Sequence, residues 1–318
     1  MKTVVIGATG HVGTFLVPRL VEMGHQVVAV SRGRREPYQP HPAWDRVERV
    51  VLDREEEERA GRFGRTIAGL DPDVVVDMIC FDQPSARHLV DSLSGRVQML
   101  LFCGTIWIHG PSTTVPQREH ENRRPFCAYG KGKLRMTDYV LGEARRGRIP
   151  AAVFHPGHIV GPGWNPVNPL GNFNPRVFAR IAGGETVRFP TLGLETVHHV
   201  HAEDVAQIIL KSMANWSAAV GEEFHVVSGE AVTLRGYAEA VYSWFGREPR
   251  LEFAVAQGWD QGLSKEDVDK TWDHVLHSPN CSIEKAGRHL GYAPRHASLE
   301  AVRQALGWLM DHGVVQAS

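Results

Sequence analysis

The chain opens Lys2-Thr3-Val4-Val5-Ile6-Gly7-Ala8-Thr9-Gly10-His11-Val12-Gly13, and the reading of this stretch decides the fold. A short run rich in β-branched residues predicts a strand over 2–6, and apolar residues at helical spacing predict a helix over 12–23. Between them stand glycines at i, i+3 and i+6. Glycine permits the tight turn, removes side chains where backbone must meet a bound phosphate, and lets the helix pack on the strand. Strand, glycine turn and helix together are the context that a dinucleotide-binding turn requires. Gly7, Thr9, Gly10, His11, Val12 and Gly13 are therefore expected at a cofactor pyrophosphate.

Working outward, the alternation continues. Strands are expected over 26–31, 47–52, 73–77, 97–103 and 151–155, with helices over 84–93 and 129–146 and one begun by the acidic run at 55–58. Repeated strand–helix units predict an α/β fold with a Rossmann-type, doubly wound parallel sheet and a ligand at the carboxyl ends of its strands. The sheet is placed in residues 1–160, with some later segments returning to it. Residues 161–318 are expected to form a smaller C-terminal α/β substrate lobe. It begins with a long Gly-, Pro- and Asn-rich loop over 156–175, then short strands at 187–189, 223–227 and 250–254 and helices at 202–216, 234–245, 282–289 and 299–311. No internal repeat or low-complexity segment interrupts this order.

Composition narrows the function classes. A net charge of −1 with 42% hydrophobic residues describes a globular chain with no field to draw nucleic acid or an anionic membrane. No apolar run approaches a membrane span, so a cytoplasmic location is expected. Cys80, Cys103, Cys127 and Cys281 form no CxxC pair and read as reduced, mostly packed thiols. His198, His199 and His201 lack an evident third ligand, and no metal is expected.

The second strand ends Ser31-Arg32-Gly33-Arg34-Arg35, where an acidic residue would favour the ribose hydroxyls of NAD(H). Hydroxyl and guanidinium groups instead suit a 2′-phosphate, so NADP(H) is preferred, with NAD(H) as the alternative. Further on, Tyr129-Gly130-Lys131-Gly132-Lys133 puts a phenol and an ammonium one helical turn apart on one face, a pairing that can favour the phenolate for acid–base work.

With the glycine turn, this pairing resembles the extended, epimerase-like short-chain dehydrogenase/reductases of the NAD-dependent epimerase/dehydratase family. Phe102-Cys103-Gly104-Thr105-Ile106-Trp107-Ile108-His109-Gly110 is similar to that family's FSSSxxVYG, and His155-Pro156-Gly157-His158-Ile159-Val160-Gly161-Pro162-Gly163 to its RPGNVYGPG. Val200-His201-Ala202-Glu203-Asp204-Val205-Ala206 is similar to its VHVDDVA. The resemblance implies catalytic roles for Thr105, Tyr129 and Lys133, and cofactor contacts at Ser31, Arg32, Asp53, Met78, Ile79, Cys80 and Pro156. It implies a small-molecule pocket at Trp107, His109, His158 and Trp164, and a homodimer formed through the helix bearing Tyr129 and its preceding helix. Ile106 and Trp107 stand where the family's dehydratases carry an acidic pair, which argues against dehydration. His155 replaces the pattern's Arg, so that arginine's hydrogen bonds do not carry over. The implied activity is hydride transfer at a carbonyl or hydroxyl carbon; an NAD-dependent epimerase and a non-catalytic, nucleotide-sensing or RNA-associated relative are the alternatives.

Overall fold

The computed structural model describes residues 1–254 and 258–316. Its strands are β1 (Lys2–Ile6), β2 (Gln26–Ser31), β3 (Glu48–Val51), β4 (Val74–Asp77), β5 (Met99–Cys103), β6 (Ala151–Pro156), β7 (His158–Val160), β8 (Val187–Phe189), β9 (Thr196–Val197), β10 (His199–His201), β11 (Glu223–Val226), β12 (Val232–Thr233) and β13 (Leu251–Phe253). Its α-helices are α1 (His11–Glu22), α2 (Arg54–Arg59), α3 (Phe63–Gly69), α4 (Gln83–Leu93), α5 (Ala128–Arg145), α6 (Arg176–Ala182), α7 (Ala202–Ala214), α8 (Trp216–Ala219), α9 (Leu234–Trp244), α10 (Lys265–His277), α11 (Glu284–Leu290) and α12 (Ser298–Asp311).

Seven strands form one parallel sheet in the order β3-β2-β1-β4-β5-β6-β11. Because successive side chains point to opposite faces, each uninterrupted apolar run feeds two cores at once. Val5, Val76, Leu101 and Phe154 pack toward α1 and α7, while Val4, Ile6, Val75, Leu100 and Phe102 pack toward α3, α4 and α5. The chain leaves β1 for β2 and β3 on one side and returns to β4 on the other, so a crevice opens at the carboxyl ends of β1 and β4.

The division between the two parts is less simple than a cut at residue 160. β11 closes the far edge of the sheet, and α7 packs on α1, so segments beyond the long loop complete the dinucleotide-binding unit. The lobe holds its own core around Phe178, Phe189, Tyr237 and Leu306, with three two-stranded ribbons. The helix expected from the acidic run is two helices, α2 and α3, parted at Gly61, whose φ of 65° suits glycine. Helix α10, absent from the sequence reading, starts at a Ser264–Asp267 capping box.

The glycine turn does its work by close approach. Gly7 has φ 84°, and a Cβ built on Gly13 would lie 1.9 Å from the Ala8 carbonyl oxygen. Gly307, in α12, faces open space. Gly13→Ala is therefore expected to destabilise the fold by about 2–3 kcal/mol through overpacking. Gly307→Ala should stabilise it by about 0.5–1 kcal/mol through helix propensity. Chemical denaturation of the two variants reads both signs; equal effects would show that the approach of α1 to β1 is not constrained as described.

Candidate active site

The crevice at the carboxyl ends of β1, β2 and β4 is a cleft of about 870 Å³. Gly7, Thr9 and Gly10 form its floor, and the helix behind them begins at Gly10 with no side-chain cap, so its first N–H groups are left for a bound group. His11, Val12 and Gly13 lie buried behind this turn in the first turn of α1. At the far end the cleft is lined by Ser31, Arg32, Arg34, Arg35 and Asp53. Asp53 spends one carboxylate oxygen on the backbone N–H groups of Glu55 and Glu56, capping α2, and Arg34 stands 3.8 Å from the other oxygen. Among the described residues Arg32 makes no ion pair. Beneath this end, Arg54 donates to both oxygens of the buried Asp77 at 2.8 Å; burial works against the guanidinium's charge, but Asp77, Cys80 and Glu58 outweigh it and raise its pKa. A glycine cradle, a helix N-terminus and a cationic distal end fit a dinucleotide of the kind the turn implies.

The expected reacting set lies beyond Phe81, which lines the cleft and whose ring stands 6.3 Å from that of Tyr129. Thr105 follows β5, and Tyr129 and Lys133 lie one turn apart on α5. The glycines between the last two explain how α5 reaches this position. A Cβ on Gly130 would meet the Trp107 carbonyl at 2.6 Å, and one on Gly132 the Phe81 carbonyl at 2.7 Å. Two glycines cost helix propensity, roughly 1 kcal/mol each, and let the helix start sit directly on two loop backbones.

Lys133 is buried, and its ammonium donates to the carbonyls of Cys80 at 2.8 Å and Cys103 at 2.6 Å. It also lies 4.7 Å from the Phe81 ring and 5.8 Å from the Tyr129 ring. Tyr129 keeps 43% of its surface open. Its pKa is nevertheless raised: desolvation around the hydroxyl is the largest influence, opposed by Lys133 and by a contact from the Thr105 side chain. The lysine thus pulls in the direction the sequence suggests without prevailing, so the phenol is protonated at neutral pH. The Thr105 hydroxyl oxygen accepts the Trp107 backbone N–H at 3.2 Å, which leaves its own proton free for a partner.

Of the three residues after β4, Ile79 lines the cleft, whereas Met78 packs against the core and Cys80 is buried with its carbonyl on Lys133. Pro156 ends β6, buried. Trp107 stands edge-on to Tyr129, with ring centroids 6.2 Å apart, and stacks on His277 at 4.0 Å. His158 is edge-on to Trp107 at 6.4 Å and tilted against His274 at 5.0 Å. Burial lowers the pKa values of His158, His274 and His277, so this aromatic and imidazole wall is neutral.

Two expected pocket residues lie elsewhere. His109 is 1% exposed, with one nitrogen 2.7 Å from the Glu121 carbonyl and the other 2.7 Å from His225, so both are spent on packing. Trp164 lies on the cofactor cleft instead, stacked on His11 at 5.0 Å, with Tyr38 edge-on to both rings. Phe81, His274 and His277 were missed. The capping box of α10 was the available signal for the two histidines, and nothing in the sequence marks Phe81.

Of the three histidines weighed for metal, His198 spends both nitrogens on the Ser228 carbonyl and the Cys281 N–H. His201, Glu203 and His296 are the one group among the described residues close enough to share an ion. Glu203, however, already pairs with Arg19, Arg295 and His296. His201 Nδ1 accepts the Glu203 N–H, which leaves the proton on Nε2 and no lone pair there for a metal. The group is an ion-pair hub joining α1, α7 and the segment before α12.

The sequence pattern of the NAD dependent epimerase/dehydratase family matches residues 3–227. The chain is 27% identical over 280 residues to the 2′-dehydrokanamycin reductase of Streptomyces kanamyceticus, covering 87% of this chain and 76% of that one. It is 26% identical over 318 residues to the dTDP-6-deoxy-L-talose 4-dehydrogenase (NAD(P)(+)) of Kitasatospora kifunensis, covering 95% and 94%. Its fold matches the crystal structure of dTDP-glucose 4,6-dehydratase from Bacillus anthracis in complex with NAD, with a TM-score of 0.75 over 99% of this chain and 98% of that one at 15% identity. No helix among the described residues is long and apolar enough to cross a membrane. The chain belongs to the NAD dependent epimerase/dehydratase family and is an NAD(P)-dependent enzyme of the extended short-chain dehydrogenase/reductase type.

Proposed function

We propose that the enzyme is an NADP(H)-dependent reductase of a small-molecule carbonyl, with Tyr129 as the acid, Lys133 and Thr105 as its partners, and Arg32 and Ser31 at the cofactor's 2′-phosphate. The bound dinucleotide supplies the hydride. The observation that supports Tyr129 as the acid is its place one turn before the buried Lys133 with Trp107 edge-on to its ring, and desolvation favours the protonated phenol there. A substrate carbonyl seated against Trp107 would accept hydrogen bonds from both hydroxyls and take the Tyr129 proton as its carbon receives hydride. Lys133, held by two carbonyls, is already placed to stabilise the phenolate that remains. The observation that carries the cofactor choice is the end of the cleft, where Ser31 and an Arg32 without an ion partner replace the acidic residue that NAD(H) favours.

Titration with NADPH and NADH, followed by calorimetry, tests the cofactor assignment. NADPH should bind at least about tenfold more tightly, and Arg32→Ala should weaken NADPH by about 10–100-fold while barely changing NADH, the range expected for a lost charge-assisted hydrogen bond. Preference for NADH, or copurified NAD⁺, would overturn it and move epimerisation to first place.

Tyr129→Phe should lower kcat by roughly 10²–10⁴-fold with cofactor affinity unchanged. In the wild type, carbonyl reduction should slow as pH rises through the Tyr129 pKa, because the proton donor is lost, while alcohol oxidation should speed up. Stopped-flow rates in both directions would show it; reduction that accelerates with pH would exclude Tyr129 as the acid.

A further inference from the structure

We infer that His155, braced by Glu223, is the residue that positions Thr105 for the reaction, and that Gly104 exists to make room for it. The inference rests on the reading of Thr105 and Tyr129 as reacting groups and adds to it a device that the family's usual serine and arginine do not supply. His155 lies at the carboxyl end of β6, with no exposed surface. Its Nδ1 accepts the backbone N–H of Thr105 at 3.1 Å, and its Nε2 lies 2.9 Å from Glu223 Oε2. The second contact can only be an N–H donating to the carboxylate, so the first nitrogen carries the lone pair and the ring is the neutral Nε2–H tautomer. Glu223, on β11, is itself fixed by Arg123 at 3.1 Å, and Arg123 by Asp138 on α5 at 2.8 Å. A chain of contacts thus runs from the exposed Asp138 on α5, by an ion pair to Arg123 and then by hydrogen bonds through Glu223 and His155, to the backbone N–H of Thr105, while the Trp107 N–H holds the Thr105 hydroxyl itself.

The space this ring occupies belongs to the neighbouring residue. A Cβ on Gly104 would lie 2.2 Å from His155 Nδ1 and 2.5 Å from its Cε1, so any other residue at 104 displaces the imidazole. Gly104 and His155 are therefore a matched pair. The sequence departs from the family's pattern at both positions, and the structure shows the two departures in contact.

The test compares His155→Gln, His155→Ala and Gly104→Ser in the full-length enzyme, with thermal unfolding and NADPH affinity measured alongside turnover. Glutamine can accept from Thr105 and donate to Glu223, so His155→Gln should keep at least about a third of kcat. His155→Ala and Gly104→Ser should each lower kcat by about 10–100-fold with NADPH affinity within about twofold of wild type. The Gly104→Ser/His155→Ala double variant should be clearly less impaired than the product of the two single effects, because the clash is gone. Wild-type turnover in His155→Ala, a loss in His155→Gln as large as that in His155→Ala, or independent effects in the double variant would overturn the inference. Thr105→Ala separates the two layers: if it is inactive while His155→Ala is not, the positioning role fails alone, and if Thr105→Ala is fully active, the reading of the reacting set fails with it.

Discussion

The arrangement of the reaction end depends on one buried ammonium. Lys133 brings a charge into the protein, makes no ion pair among the described residues, and satisfies the charge with the backbone carbonyls of Cys80 and Cys103 and the faces of two rings. Leaving such a group without partners would cost several kcal/mol, so the carboxyl ends of β4 and β5 and the first turn of α5 must meet wherever Lys133 is. Thr105, two residues beyond the carbonyl that holds the lysine, and Tyr129, one turn before it, take their places from that single constraint. The lysine's electrostatic influence on Tyr129 is thereby a consequence of architecture, since the ammonium cannot move away from the phenol without losing its own hydrogen bonds.

Close backbone approach is what lets this happen, and it is achieved with glycine at each junction. Gly13 brings α1 against the turn at Ala8, Gly130 and Gly132 bring α5 against the loops at Trp107 and Phe81, and Gly104 admits the His155 ring. Each sacrifices local propensity for tertiary contact. That explains why Tyr129-Gly130-Lys131-Gly132-Lys133 looks like a poor helix start in isolation yet begins the 18-residue α5.

The parts legible in the sequence are those written in local periodicity. The strands of residues 1–155 and the glycine turn announced themselves because each apolar run and each turn is a contiguous signal, and the parallel sheet follows from their alternation. The lobe was less legible. Its strands are two or three residues long and take their register from partners far away in sequence, and α10 went unread although its Ser264–Asp267 capping box is a local signal. Site residues divide the same way. Thr105, Tyr129 and Lys133 sit within motifs, whereas Phe81, His274 and His277 reach the site through tertiary packing. His109 and Trp164 were misplaced because motif position fixes where a backbone goes but not which way a ring turns. His109 turned toward His225, and Trp164 swung over the glycine turn onto His11.

The histidines bear on how the reaction end handles protons. Burial lowers the pKa of His158 and His277, and brings His274 to about 4 and His199 to about 3, so none of them changes charge near neutrality. His274 and His277 each turn Nδ1 toward the main-chain carbonyl four residues back, at 2.8 and 2.6 Å, which fixes their rings on α10. A wall so rich in imidazole therefore behaves as a polar but uncharged surface. The cofactor cleft differs: Arg32, Arg34, Arg35 and Arg54 share its lining with Asp53, Glu55, Glu58 and Asp82, so opposite charges offset one another there. With no excess of either sign to act at a distance, orientation of a dinucleotide in this cleft falls to short-range contacts, to the bare N–H groups at the glycine turn and to individual guanidinium groups.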